Sequence, residues 1–252
     1  RSYFSRLELL LGSDILDRIA SQRVILFGVG GVGSWCAEAL IRSGIEQLTL
    51  VDPDRVNVSN LNRQLPATQQ TIGELKVEVL KRRLMEINPH AEITAIAQIY
   101  TEHTSEMFNL HNYHYIIDAI DTLSHKAHLL LEACKTDAVV FSAMGAGLKM
   151  DPTQIKIGEF WKVKGCKLGA ALRQRFRKTE KPIKKIQCVY REERLENRGE
   201  DRDVPTEEEG GIISHYKPHT NGTVLHVTGT FGFMLASMVL NDINSANEKE
   251  QQ

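Results

Sequence analysis

Residues 28–33 read GVGGVG, and what flanks them leaves few folds open. Before them stands Arg23–Phe27 (RVILF), short, apolar and β-branched, and after them residues 35–43 carry apolar side chains at helical spacing. Gln47–Val51 (QLTLV) is a second apolar run and ends at Asp52. Strand, tight turn, helix and strand within roughly 30 residues make a βαβ unit. Its crossover requires the two strands to lie parallel.

Each glycine has a physical role in such a turn. Gly28 permits the tight bend, Gly30 lets phosphate oxygens approach backbone amides and Gly33 allows close helix packing, while the helix amino terminus adds positive potential. Asp52 then stands where an acceptor for a ribose hydroxyl belongs. The blander reading is that the glycines serve strand-to-helix packing alone. The pattern also serves NAD as readily as ATP.

The alternation continues. Residues 73–88 (GELKVEVLKRRLMEIN) place Leu75, Val79, Leu80, Leu84 and Ile87 on one helical stripe, and Pro89 stops it. Buried strands are predicted at 93–97, 115–120 and 138–142, with a helix over 124–136 between the last two. The expected fold is α/β, a doubly wound, Rossmann-like, mostly parallel sheet with helices on both faces and a smaller carboxy-terminal α+β extension. Residues 1–150 form the nucleotide-binding part, opened by a short amphipathic helix. Residues 151–252 form a substrate-binding and dimer extension of the same globular unit, with a mobile acidic loop over 192–211. Residues 151–160 (DPTQIKIGEF) read as a turn into an exposed strand, and Cys188 in IQCVY alternates like a strand residue.

The residues downstream of Asp52 decide between nucleotides. Asp52 and Asp54 precede SNLNRQ, comprising Ser59, Asn60, Leu61, Asn62, Arg63 and Gln64; Lys76 and DAID, ending in Asp121, come later. A triphosphate under nucleophilic attack needs positioned cations and a carboxylate-held Mg²⁺. Arg63 and Lys76 supply cations, and Asp121, at the carboxyl end of a predicted strand, can hold the metal. Singly, Lys76 also reads as a solvated helix residue, Arg63 as a surface ion pair, and Asp118 or Asp121 as a helix cap. Their order along the chain favours ATP with Mg²⁺.

That order, GxGGxG, then DxDxVxxSNLxRQ, a downstream lysine and DxxD, resembles the ubiquitin-activating-enzyme superfamily with its ThiF and MoeB adenylyltransferases. GSWCAEALIRSGIEQLTLVDPD, IIDAID, DPTQI, LGAALRQRFRK and VTGTFGF extend the resemblance toward its tRNA threonylcarbamoyladenosine dehydratase branch, over nearly the whole chain. The resemblance implies that Gly31, Asp52, Asn60, Arg63, Lys76 and Asp121 contact ATP or its metal, with Gly28, Gly30, Gly33, Asp54, Ser59 and Asn62 completing the nucleotide site. It implies a homodimer in which Arg6 reaches the partner subunit's phosphates, and catalytic roles for Arg63, Lys76, Asp121 and Arg6. The implied reaction is ATP-dependent dehydration of threonylcarbamoyladenosine in tRNA through adenylation of the threonyl carboxylate. The rival is activation of a ubiquitin-like sulfur carrier protein; a non-catalytic partner of a sulfur-transfer system and a Rossmann dehydrogenase stand behind it.

Departures from the relatives carry information. The paired CxxC zinc ligands of the ThiF and MoeB branches are missing, and the four cysteines are scattered at Cys36, Cys134, Cys166 and Cys188. Cys36 and Cys134 fall on apolar helix faces and read as buried structural thiols rather than acceptors. The family's carboxy-terminal region is altered around the acidic loop. A cysteine desulfurase or sulfur-acceptor partner stays open.

Charge is segregated rather than extreme. Net charge is −1, yet residues 162–185 hold ten Lys or Arg and one acid, whereas 192–209 hold nine acids and three bases. Arg173, Arg175, Arg177 and Lys178 crowd one segment and are the candidate RNA contacts, the alternative being a solvated helix neutralised by the acidic loop. Nothing points to DNA. The amino terminus does not read as a secretory signal, and cysteine usage suits a reducing cytoplasm. Residues 224–240 are seventeen mostly apolar positions, read as a core helix, with peripheral membrane association left open. His111 and His114 read as surface loop residues.

Overall fold

The computed structural model describes residues 2–199 and 221–250. Two short helices, α1 (Ser5–Leu11) and α2 (Ser13–Ala20), precede β1 (Arg23–Phe27), α3 (Gly33–Arg42) and β2 (Gln47–Val51). Then come α4 (Lys76–Ile87), β3 (Glu92–Ile96), β4 (Tyr115–Asp118), α5 (Leu123–Cys134) and β5 (Val139–Ala143). The remainder is β6 (Lys156–Glu159), α6 (Lys167–Lys178), β7 (Gln187–Tyr190) and the long α7 (Leu225–Glu250).

One seven-stranded sheet runs in the order β3-β2-β1-β4-β5-β7-β6, parallel throughout except that β6 pairs antiparallel with β7. The fold is thus the α/β, mostly parallel arrangement the alternation implied. Central strands bury both faces, as period-2 side chains must when helices cover each side. Val24 and Leu26 of β1 join the core beneath α3, α4 and α7, while Ile25 and Phe27 join the core beneath α5 and α6. The chain leaves β1 toward β2 and later returns to β4 on β1's other side. The strand order therefore reverses between β1 and β4, which opens a crevice at their carboxyl ends.

Several expectations need correcting. Two helices stand where one was expected at the amino terminus, because Gly12, at φ +83°, ends α1 and admits α2 directly. Helix α4 begins at Lys76 rather than Gly73. Gly73 has φ +88°, and residues 73–74 return hydrogen bonds to Val56 instead. Strand β4 stops at Asp118, since the next turn bends so that the Ile120 amide donates back to Asp118 Oδ1 at 3.0 Å. His111 is exposed, but His114 is half-buried and its Nδ1 accepts from the Arg23 amide.

The apolar segment at 224–240 forms the first part of α7 and packs on α3. Val227, Phe231, Leu235 and Val239, four residues apart, are fully buried. Burial of each such side chain contributes about 1.5–3 kcal/mol, so this face belongs to the core. Gly232 permits the approach, because a Cβ there would lie 2.4 Å from the Val32 carbonyl oxygen. Among the described residues no helix is long and apolar enough to cross a membrane. Of the acidic segment, residues 200–211 lie outside the described residues. Glu38 braces α3 to α4, accepting from Arg83 Nε at 2.6 Å and Arg42 Nε at 2.9 Å. Burial pushes its carboxyl up, but the hydrogen bonds from Arg83 and Arg42 outweigh that and hold it below the usual carboxylate range.

Candidate nucleotide site

The glycine turn occupies the crevice at the strand-order reversal. Gly28 adopts φ +85°, and a Cβ on it would meet the Ala119 carbonyl oxygen at 2.8 Å; a Cβ on Gly33 would lie 1.8 Å from the Gly28 oxygen. Neither position tolerates a side chain, for reasons internal to the fold. Gly30 differs: its nearest neighbour would be Gln64 Nε2 at an ordinary 3.7 Å. Among the described residues nothing forbids a side chain there, which fits a glycine kept bare for a ligand. Helix α3 starts at Gly33 without a side-chain cap, so its first amides are not occupied in that way.

Asp52 is buried and commits both carboxylate oxygens to backbone. Its Oδ2 accepts from Val29 N at 2.8 Å and its Oδ1 from Asp54 N at 2.9 Å, tying β2 to the glycine turn. Burial pushes its carboxyl up, and Lys76 opposes that shift. Lys76, itself buried at the start of α4, reaches Asp54 Oδ2 at 2.8 Å. An ammonium is thereby held at the carboxyl end of β2, paired to a carboxylate that is mostly exposed.

The SNLNRQ segment folds over the turn. Asn57 and Asn60 cap each other, with Asn60 Oδ1 accepting from Asn57 N while Asn57 Oδ1 accepts from Ser59 N and Oγ. This orients Arg63, whose Nη1 donates to Ser59 O at 2.8 Å and Asn62 Oδ1 at 2.9 Å. Asn62 in turn donates to Thr223 O. Arg63 Cγ would stand 3.2 Å from a Cβ on Gly31, and its carbonyl accepts from Trp35 Nε1 on α3. Burial lowers the Arg63 guanidinium below its ordinary value, and the Asp121 carboxylate pulls the other way. Asp121 itself is exposed in the loop between β4 and α5.

Arg63, Lys76, Asp52, Asp54 and Asp121 therefore lie around Gly28–Gly33. Arg6 does not. It is exposed on α1, which with α2 packs through Leu7 and Leu16 against Gly44, after the carboxyl end of α3. That is the opposite end of the sheet from the glycine turn. Ser59 is exposed, with its hydroxyl on Asn57.

Gln64 is a site residue that the sequence pattern contained but did not single out. It is buried beside Gly30, and among the described residues its Oε1 has no hydrogen-bond partner. A buried orphan polar atom is costly, which suits a place finished by a ligand. Bare Gly30, the uncapped helix start, two cations and this orphan make the crevice fit a nucleotide polyphosphate. Among the described residues no three His, Cys, Asp or Glu side chains converge on a metal position. Mg²⁺ in phosphate sites is usually held by only one or two carboxylates with phosphates and water, and exposed Asp121 beside Arg63 fits that role.

The basic tract requires a correction. On α6, Arg173 is half-buried, its Nη1 donates to Phe160 O at 3.3 Å and its guanidinium lies 5.9 Å from the Phe160 ring centre. Arg177, one turn on, lies over Trp161 at 5.8 Å. At about 100° per residue the helix sends Arg175 and Lys178, both exposed, to the other side. The four do not share a face. All four cysteines are free and buried, and burial pushes the thiols of Cys36, Cys134 and Cys188 up.

Fold and site define a nucleotide-binding α/β protein of the doubly wound class, with two cationic side chains, Arg63 and Lys76, near the switch of strand order. The ThiF family profile matches residues 4–251. A Bacillus subtilis tRNA threonylcarbamoyladenosine dehydratase is 42% identical over 191 residues, 75% of this chain and 74% of the relative. The Haemophilus influenzae enzyme of the same name is 37% identical over 239 residues, covering 91% and 88%. The crystal structure of the Escherichia coli tRNA N6-threonylcarbamoyladenosine dehydratase in complex with ATP superposes with a TM-score of 0.85 at 31% identity, covering 100% of this chain and 97% of that one. The chain belongs to the ThiF family and, within it, to the tRNA threonylcarbamoyladenosine dehydratases.

Proposed function

We propose that this protein dehydrates threonylcarbamoyladenosine in tRNA with consumption of ATP, the chemistry taking place at the crevice around Gly28–Gly33. The observation that carries the reading is the whole-chain match to a dehydratase whose structure holds ATP, on a fold in which no described residue forces Gly30 to be bare. The threonyl carboxylate attacks the α-phosphorus, forming an acyl-phosphate bond as the bond to pyrophosphate breaks. A nitrogen of the same side chain then attacks the acyl carbon, AMP leaves, and the nitrogen's proton is released as the ring closes. Both reactants are tethered, so the second step is intramolecular and needs no enzyme nucleophile. Four buried thiols accord with that.

Within this scheme Arg63 and Lys76 bind and orient the phosphates, the amides at the start of α3 face them, and Asp52 shapes the turn while approaching the ribose. Lys76 must share or leave Asp54 to do so. Gly31, Asn60 and Asn62 keep Arg63 in place, and Ser59 contributes its carbonyl rather than its hydroxyl. Asp121 would hold Mg²⁺, which when bound neutralises charge on the polyphosphate. The chain acts as a homodimer, Arg6 from one protomer completing the partner's site, in the cytoplasm. Arg175 and Lys178 form the RNA-facing part of α6.

The test is direct. Purified protein, ATP and tRNA bearing threonylcarbamoyladenosine should yield a nucleoside lighter by one water. Arg63→Ala and Asp121→Ala should abolish this while leaving the thermal midpoint close to wild type. Full turnover by either variant overturns the site assignment. ATP–pyrophosphate exchange driven by a carrier protein's Gly-Gly tail, with no mass loss from tRNA, would instead establish the sulfur-carrier reading.

A further inference from the structure

Beneath the loop that carries Asp121 lies an ion pair with no access to solvent. Lys126 Nζ on α5 stands 2.6 Å from Asp118 Oδ2 at the end of β4, and both side chains are 0% exposed. Ser142 Oγ of β5 donates to the same carboxylate oxygen at 2.7 Å. A buried pair of this kind adds little net stability, because desolvation of the two charges offsets most of their attraction and an apolar pair of similar volume often does as well. Its use must lie in where its hydrogen bonds point.

They point at one residue. Asp118 Oδ1 accepts from the Ile120 amide at 3.0 Å, and Lys126 Nζ donates to the Ile120 carbonyl at 3.0 Å. Both polar groups of Ile120's backbone are thus gripped by the two halves of the ion pair. The Ile120 carbonyl belongs to the peptide plane that leads into Asp121. On the other side the Ala119 amide donates to Phe27 O at 2.8 Å, and the Ala119 carbonyl is what a Cβ on Gly28 would strike. The same few atoms back the glycine turn and set the direction in which Asp121 leaves the sheet.

We propose that Lys126, Asp118 and Ser142 form a positioning device that clamps the backbone at 119–121, so that Asp121 is presented at one fixed place relative to the glycine turn and to the metal of the bound nucleotide. The inference rests on the reading of Asp121 as the metal carboxylate. None of the three residues touches nucleotide. They act through Ile120, in the way that outer partners of metal ligands fix a ligand's orientation.

Removing Lys126 alone would strand a buried carboxylate, so the informative variant is the double substitution Asp118→Asn/Lys126→Met, which leaves no buried charge. Binding of a fluorescent ATP analogue is measured against Mg²⁺ concentration and again in chelator, together with amide hydrogen exchange at 119–122 and the thermal midpoint. The Mg²⁺ concentration for half-maximal tightening should rise roughly 10- to 100-fold, the usual effect of losing such an outer partner. Affinity in chelator should stay within a few-fold, and the 119–122 amides should exchange faster. Leu84→Ala, a core truncation on α4 across the sheet, controls for stability loss and should leave the Mg²⁺ dependence unmoved. Asp121→Ala separates the two ideas. If Asp121→Ala shifts the Mg²⁺ curve and the double variant does not, the clamp is refuted while the role of Asp121 stands. If neither shifts it, both fall; if only the double variant does, Asp121 is not the residue being positioned and the clamp as stated is wrong.

Discussion

Gly30 is the one glycine of the turn whose bareness no described residue requires. A Cβ there would sit 3.7 Å from Gln64 Nε2, an ordinary contact, and Gly30 is not among the residues with positive φ. Gly30→Ala should therefore leave the fold intact. By restricting the unfolded chain it should even add about 0.4–1 kcal/mol, raising the melting temperature by roughly 1–4 °C in a chain of this size. The same methyl group would stand where phosphate oxygens approach the backbone amides. Loss of one hydrogen bond to a charged group costs about 1.5–3 kcal/mol, so ATP affinity should fall roughly 10- to 100-fold. Gly33→Ala is the contrast. Its Cβ would fall 1.8 Å from the Gly28 oxygen, a clash that only backbone displacement relieves, and both stability and binding should collapse together. Calorimetric titration with ATP beside thermal unfolding reads both quantities on the same samples. Unchanged ATP affinity in a well-folded Gly30→Ala protein would mean that Gly30 is not kept bare for the nucleotide.

The basic helix and the α3–α4 brace give further expectations. Reversing the charges of Arg175 and Lys178 should weaken tRNA binding and flatten its dependence on salt by about one unit of slope per lost phosphate contact. Arg173→Gln, whose guanidinium is already engaged by Phe160, should leave that slope unchanged; the opposite ranking would put the RNA on the Phe160 side. Glu38 has a carboxyl held below its ordinary value, so its stabilisation is present above that value, near 4.3, and disappears as pH falls through the lowered one. Glu38→Gln should cost about 1–3 kcal/mol near pH 7 and much less near pH 3, measured by urea unfolding at both. An equal cost at the two pH values removes the ion pair from the account. The losses expected for Arg63→Ala and Asp121→Ala join these as tests of the site.

Legibility in the sequence depended on the range of the interaction. The glycine turn, β1, β2 and the apolar stripe of α4 were legible because turn geometry and side-chain period are local. The Asp118–Lys126–Ser142 network was not, since its members sit on a strand, a helix and the neighbouring strand, and only pairing of β4 with β5 brings them together. Lys126 in sequence is one lysine on a helix whose other residues are mostly apolar, with nothing to mark it as buried. The split of the basic tract, by contrast, was available: positions 173 and 177 fall one helical turn apart, and 175 and 178 fall on the far side. Helix α2 is not legible in the sequence, because Gly12 reads as an end, although in the structure it ends one helix and begins the next.

The carboxy-terminal helix shows why the site needs the whole chain. A Cβ on Gly31 would meet Arg63 Cγ at 3.2 Å and Thr228 Cβ of α7 at 3.4 Å, and one on Gly232 of α7 would meet Val32 O at 2.4 Å. The glycine turn is thus held from three directions: by Ala119 just after β4, by Arg63 from the segment after β2, and by α7 from nearly 200 residues later in the sequence. Trp35 links two of these, donating to the Arg63 carbonyl while its ring meets Phe233 edge-on at 5.9 Å. A phosphate-binding turn must not yield as charge builds up on its ligand, because stabilisation from fixed dipoles depends on their being already in place. The close packing at Gly31 and Gly232 supplies that rigidity, and it explains why small residues recur where α7 crosses the start of α3.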